Sequence, residues 1–303
     1  MREENFLGTR PIQSWYLIAS SQELQKNQIL EAQLGRHKVV LFRNEHGIAG
    51  ATDAYCPHLG ADLSDGCVTQ GKIRCAFHHW TFRVDGKCET GERDATSYPV
   101  LEKHGAIWLF SGPSPLFGIP EMDQMQATIL KPRVVRAHPH LLTPNGLDIE
   151  HFSSVHGIHF SKQPVFKTEP FGIAVDMEID LNASKSFRMA RLFAGNQIKA
   201  KFYTLGGHIS VIRANAGAVP LHVIFTHRPQ PDGTSISRTL LFFPERMKTP
   251  STLYRFLSGV FLYFIVRDDV RLLENVQFRS ENLKAGEGLA LFRDQINQME
   301  TMA

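Results

Sequence analysis

Residues 56–82, CPHLGADLSDGCVTQGKIRCAFHHWTF, contain two short loops that each offer one thiolate and one imidazole. The first is Cys56-Pro57-His58; after sixteen intervening residues comes Cys75-Ala76-Phe77-His78. Two such loops suit a two-iron, two-sulfur cluster, with both cysteines on one iron and both histidines on the other. Exchanging two thiolates for neutral imidazoles lowers the cluster's negative charge and raises its potential above that of all-cysteine ferredoxins. Two Cys and two His also satisfy a tetrahedral zinc ion, but zinc fingers pair Cys with Cys and His with His. Cys67 and Cys88 lie outside both loops and read as small buried side chains.

Outward from the loops, the stretch from Pro11 to Gly112 consists of short apolar runs cut by turns. Val39–Phe42, Ile48–Ala51, Ile73–Phe77 and Ala106–Phe110 read as strands; Asn44–Gly47, Asp65-Gly66, Gln70-Gly71 and Asp85-Gly86 read as turns. Many short strands at close spacing predict a small antiparallel β domain over residues 11–112. Ser111–Pro120 holds three prolines and two glycines, so residues 113–127 read as a linker and 128–303 as a second domain. In that domain Asp148–His156 reads as helix with Gly157 as its stop. Ile173–Leu181, Ile209–Arg213, Leu221–Thr226 and Ile236–Phe243 read as alternating strands, and Thr252–Thr301 as mostly helical. The fold class is α+β, an antiparallel sheet closed by a C-terminal helix.

The chain of 303 residues is 43% apolar and 21% charged, a globular composition, with a net charge of +3. Nucleic-acid binding would need a clustered basic stripe; the mild excess of positive charge suits an acidic redox partner. Met1–Arg10 has no apolar signal core. A cytoplasmic, reducing setting follows, in which cysteines at metal-like spacing are ligands rather than bridges. The most apolar run, Phe256–Val266, is shorter than the roughly 20 residues of a membrane span. It reads as a buried helix or, alternatively, a membrane-surface segment. No Gly-rich dinucleotide fingerprint follows a strand.

The flanks His58-Leu59-Gly60-Ala61 and His78-His79-Trp80-Thr81-Phe82 are similar to the surroundings of Rieske cluster loops. About 70 residues further on stands Asn145-Gly-Leu-Asp148-Ile-Glu-His151-Phe-Ser-Ser-Val-His156. With this segment the chain resembles the α subunit of the Rieske non-haem iron oxygenases (ring-hydroxylating oxygenases) from Trp15-Tyr16 to the C-terminal helix. It looks most like the single-component monooxygenase branch that includes 3-ketosteroid hydroxylase and the cholesterol desaturases. Respiratory Rieske proteins carry a further cysteine in each loop and pair the two as a disulfide. Ala61 and Phe77 occupy those places here, which points to the oxygenase class. His79 stands where many Rieske proteins have glycine, and reads as a residue near the cluster or at the surface.

The resemblance implies a Rieske domain followed by a helix-grip (START-like) sheet domain. It implies Cys56, His58, Cys75 and His78 as ligands of the 2Fe–2S cluster. It further implies His151, His156 and Asp269 as ligands of a mononuclear iron(II), a facial triad that leaves positions open for oxygen and substrate. Asp269 is preferred to its neighbour Asp268 because the family's ligand precedes a helical glutamate by five residues, here Glu274. A helix N-terminal acidic pair is the plainer reading. His151 and His156 are five apart, about 140° around a straight helix, so convergence on one metal needs a widened turn or a helix break. Asp148 would hydrogen-bond between His151 and His78 of a neighbouring subunit, which implies a ring-shaped oligomer, most often a homotrimer. Asn145 would sit near the iron or cap a helix. His138, His140, His159, His208, His222 and His227 are scattered; most read as structural or surface groups, with one or two free to line a pocket walled by the sheet.

These features imply a terminal oxygenase that uses O2 and electrons from NAD(P)H, delivered by a separate reductase or ferredoxin, to hydroxylate, demethylate or desaturate a largely apolar substrate. Two other readings remain open. One is a Rieske electron carrier whose second domain is a partner or ligand-binding platform; the other is a ligand-binding protein with a structural zinc.

Overall fold

The computed structural model describes residues 5–184, 195–216, 219–245 and 266–302. It divides into two compact units. One comprises Gly8–Ile119, Arg228–Gly233 and Glu300–Ala303, the other Met1–Leu7, Pro120–His227 and Thr234–Met299. The first unit thus takes in two late segments that a boundary drawn along the sequence assigns to the other domain.

Ten short strands build the first unit: β1 Trp15–Ser20, β2 Ile29–Leu34, β3 His37–Arg43, β4 Ala49–Asp53, β5 Cys67–Thr69, β6 Lys72–Arg74, β7 Thr81–Phe82, β8 Ser97–Tyr98, β9 Val100–Lys103 and β10 Ala106–Phe110. They form three small sheets, β1-β10-β9, β2-β3-β4-β8 and β5-β6-β7, and every pairing is antiparallel. The run Val39–Phe42 is apolar throughout because β3 lies between two cores. Val39 and Leu41 pack with Tyr16, Leu24 and Leu109. Val40 and Phe42 face the other way, onto Leu63, Ile73, Phe82, Cys56 and Cys75. The second core therefore extends directly into the two cysteines of the loops. Gln70 (φ +47°) and Gly71 (φ +78°) make the tight turn between β5 and β6, as two positive φ values in succession suit a two-residue hairpin. The strand expected over Ile73–Phe77 ends at Arg74, because Cys75 opens a loop and Phe77 is exposed.

The second unit is a nine-stranded sheet with few helices. Its strands are β11 Met125–Ile129, β12 Arg133–Val135, β13 His159–Phe160, β14 Val165–Glu169, β15 Gly172–Asp180, β16 Gln197–Leu205, β17 Ile209–Ala216, β18 Val219–Pro229 and β19 Ser235–Pro244. The order is β11-β19-β18-β17-β16-β15-β13, with β12 also pairing β19 and β14 pairing β15. Helices α1 Pro139–Leu142, α2 Ile149–Ser154 and α3 Gly288–Gln298 accompany it, together with helical residues 266–273. The α+β class holds. Among the described residues the end of the chain is mostly helical, as expected, with breaks at residues 274–279 and 283–287, and Gly286 takes a φ of +87° just before α3. Phe292 of α3 and Phe6 pack edge to face. The apolar run Phe256–Val266 lies outside the described residues except for Val266, which packs against the Val223, Leu241 and Phe243 core. No helix among the described residues is long and apolar enough to cross a membrane.

Candidate metal and substrate sites

The two ligand loops share one backbone design. In each, the cysteine N–H donates to the carbonyl five residues on, Cys56 to Ala61 and Cys75 to Trp80, both at 2.8 Å. In each, the fourth residue after the cysteine is left-handed, Gly60 at φ +77° and His79 at φ +61°. This wrap sends the cysteines inward and the histidines outward. Cys56 and Cys75 are buried, while His78 is exposed and His58 half-buried. The His58 and His78 rings lie 4.6 Å apart. Trp80 stacks on His58 at 4.5 Å and 6°, and Gly91 leaves room for that indole, since a Cβ there would meet it at 2.2 Å.

Burial pushes the Cys56 thiol up to about 11, with the neighbouring Cys75 thiol adding to the effect. Such a pair gives up its protons to a metal. Nδ1 of His58 is buried and has no hydrogen-bond partner among the described residues. Two adjacent buried thiols, two facing imidazoles and an orphaned ring nitrogen fit a metal cluster held by Cys56, His58, Cys75 and His78. Cys88 is half-buried and accepts a hydrogen bond from Gly91. Cys67, expected to be buried, is exposed, because it opens the outer strand of its small sheet.

The second constellation depends on where α2 stops. Asp148 caps the helix, its carboxylate accepting from the His151 N–H. The last helical residue is Ser154, and Val155 closes the turn onto the His151 carbonyl. Gly157 then takes φ +60° and Ile158 N–H donates to the Phe152 carbonyl. His156 thus stands beyond the helix and folds back toward His151, with ring centroids 5.3 Å apart. This is the helix break that the five-residue spacing calls for.

The carboxylate that meets these rings belongs to Asp269, on the helical segment 266–273. Oδ1 of Asp269 is 2.7 Å from Nε2 of His156 and 3.9 Å from Nε2 of His151. Its Oδ2 accepts from Nδ2 of Asn145 at 2.8 Å. Asp268, by contrast, is only half-buried and pairs with Arg267. Nδ1 of His151 lies 2.5 Å from the Asp148 carbonyl. A carbonyl only accepts, so Nδ1 carries the proton and the Nε2 lone pair faces Asp269. One donor atom from each of His151, His156 and Asp269 lies within 4.8 Å of the others. The two carboxylate–imidazole distances, 2.7 and 3.9 Å, are within the roughly 4.2 Å that two ligands each about 2.1 Å from one ion can span. Asp269 is also buried, and its partners among the described residues are His and Asn side chains, so a cation would stabilise the carboxylate.

Beside the three ligands opens a cavity of about 250 Å³, well beyond the ~15 Å³ that one water needs. Its wall is one face of the sheet, every second residue of β16 (Ile198, Ala200, Phe202), β17 (Ser210, Ile212, Ala214) and β18 (Leu221 to His227), as the two-residue strand period dictates. Besides the ligands, its polar side chains are Asn145, Ser210 and His227.

Residues 14–102 match the family model of the Rieske [2Fe-2S] domain. A cholesterol 7-desaturase from Bombyx mori is 32% identical over 157 residues, which cover 47% of this chain and 35% of that protein. An aminopyrrolnitrin oxygenase from Pseudomonas fluorescens is 34% identical over 132 residues, covering 38% of this chain and 36% of its own. In fold, the chain is similar to the crystal structure of dicamba monooxygenase bound to dicamba, with a TM-score of 0.71 and 19% identity over 96% of this chain and 98% of that one. The chain carries a Rieske [2Fe-2S] domain and shares the fold of dicamba monooxygenase. The matched stretches take in about a third of the length of the two relatives.

In the second unit the structure draws His151, His156, Asp269 and Asn145 together and sets Asp148 directly behind His151. The Asp148 carboxylate does not reach the His151 ring: the main-chain carbonyl holds the ring and the carboxylate caps the helix. Of the scattered histidines, His227 lines the cavity, His140 and His208 are buried and stacked at 5.0 Å, and His159 is exposed. Ser210, His227 and Gly91 carried no local signal in the sequence. Each matters through a neighbour on another strand or loop.

Proposed function

We propose that this chain is a Rieske oxygenase that uses O2 and electrons supplied one at a time to hydroxylate, demethylate or desaturate a largely apolar organic substrate held in the sheet-walled cavity. The observation that carries the reading is the convergence of His151 Nε2, His156 Nε2 and the Asp269 carboxylate beside an almost wholly apolar cavity. Cys56, His58, Cys75 and His78 would hold the 2Fe–2S cluster, and His151, His156 and Asp269 the iron(II). When bound, the cluster supplies electrons at a raised potential and the iron supplies open coordination positions.

The protein's own contribution is orientation and dryness. The Asp148 carbonyl fixes the His151 tautomer, Asn145 turns the Asp269 carboxylate toward the two imidazoles, and the sheet face excludes water. Asp148 is half-buried, and its carboxylate holds one hydrogen bond, leaving capacity for a second partner. That supports its role as a link to His78 of a neighbouring subunit in a homotrimer. NAD(P)H would act through a separate reductase or ferredoxin, and the exposed His78 is placed for electron entry. Free thiols at the loops suit a reducing cytoplasm.

Metal analysis tests the reading. Three irons and two labile sulfides per chain are expected for one Rieske cluster and one iron site; two irons with sulfide would mean an electron carrier, and zinc without sulfide a binding protein. His151→Ala should remove one iron and all turnover while the visible cluster spectrum persists. Loss of that spectrum would sink the two-site reading.

A further inference from the structure

The cavity has a polar end. His227 is the last residue of the β18 face that lines it, and Ser210 stands diagonally opposite on β17, next to the Phe225 pair. Nδ1 of His227 is 2.8 Å from the Ser237 hydroxyl, so Nε2 is its remaining hydrogen-bonding atom, without a partner among the described residues. The Ser210 hydroxyl likewise has none among them, although Ser210 is 3% exposed. Both residues line the cavity, and a ligand that bonds to these atoms takes the place of the water that would otherwise satisfy them. We propose that His227 and Ser210 form a recognition subsite for an uncharged oxygen, a hydroxyl or carbonyl, at one end of an otherwise apolar substrate.

Charge decides against an acid. No lysine or arginine lines the cavity among the described residues. Burial drives the His227 pKa down to about 3, so the ring is a neutral donor–acceptor at physiological pH. A carboxylate here would lose its hydration with no cation in return. Geometry gives the span. Phe202 abuts Gly146, beside the Asn145 that holds Asp269. Phe202 pairs with Ile212, and Ile212 with Val223. From Val223 to His227 is four residues along β18, roughly 13 Å at about 3.3 Å per residue. The substrate's oxygen would therefore lie at the end of its apolar body away from the iron ligands.

The inference rests on the cavity being the substrate site, and binding tests it without turnover. Calorimetry on the metal-loaded protein would compare cyclohexylbenzene, para-cyclohexylphenol and para-cyclohexylbenzoate. The phenol should bind about 5-fold more tightly than the hydrocarbon, the yield of one hydrogen bond, and the benzoate more weakly than the phenol. His227→Phe should erase the phenol's advantage while hydrocarbon affinity is kept. Should that variant not fold, Ser210→Ala reads the same subsite and should shrink the advantage. Equal binding of phenol and hydrocarbon, an advantage that survives both variants, tightest binding by the benzoate, or no binding of any probe would overturn the subsite. Iron counted on the same samples separates the two readings. A phenol preference without the third iron contradicts the oxygenase reading alone; full iron without the preference contradicts the subsite alone.

Discussion

His79 occupies a left-handed position, φ +61°, that its counterpart in the first loop gives to Gly60. An L-residue there costs about 1–2 kcal/mol, while glycine would add chain entropy to the unfolded state worth up to about 1 kcal/mol. The two terms nearly cancel for His79→Gly, so its thermal midpoint should stay close to that of the parent. A β-branched side chain tolerates positive φ least. His79→Val should therefore lower stability further, by up to roughly 1 kcal/mol beyond the strain that His79 already carries, and loosen the His78 loop. Thermal melts followed by the visible cluster absorbance would show it; a His79→Val protein as stable as the parent would mean the loop adopts another backbone path. The adjacent Trp80 does separate work, stacking on His58 over the space that Gly91 leaves.

At the scale of elements, the candidate iron site depends on α2 ending where it does. Gly157, at φ +60°, turns the chain that carries His156 back toward His151. Gly157→Ala forces a side chain into that conformation at about 1–2 kcal/mol, and the strain should appear in iron affinity, close to 10-fold by the ordinary conversion. An iron(II) titration of the apo site checks this, with the cluster spectrum as internal control; unchanged affinity would place the control of His156 elsewhere. Both ligand loops and the His151–His156 pair were legible in the sequence because their spacing is local. Even the helix break could be read, since five residues do not fit one helical face. The cavity could not. Its lining depends on the register of β15 to β18, and a slip of one residue turns the opposite face inward. His227 gained its meaning from Ser237 on the next strand and from Ser210 across the sheet, neighbours that no local pattern announces. The mostly helical character of the C-terminal segment could be read as well, but not its breaks, where Gly286 and the loop before α3 interrupt it.

At the scale of the whole catalytic unit, a group of buried imidazoles makes stability depend on acidity. His140 and His208 stack on each other, His138 packs edge-on against His140, and His140 bonds to the Phe6 carbonyl. Burial holds the pKa values of both His140 and His208 well below the ordinary histidine value, and the surrounding imidazoles push further in that direction. His227, whose Nδ1 meets the Ser237 hydroxyl, is pushed down to about 3 by burial. All three rings are neutral in the folded chain, whereas in the unfolded chain they titrate near pH 6.5. Below that value the unfolded state takes up protons that the folded state refuses, so folding stability falls as pH falls. The contribution is fully present above about pH 6.5 and declines by up to about 1.4 kcal/mol per pH unit for each group. Denaturant midpoints of the metal-loaded protein should therefore drop between about pH 6.5 and 5, before most carboxylates titrate. His208→Leu removes one of the three and should flatten the slope by about a third, whatever it costs at neutral pH. A midpoint constant across this window, or a slope the variant leaves unchanged, would show that the imidazoles already carry protons in the folded state.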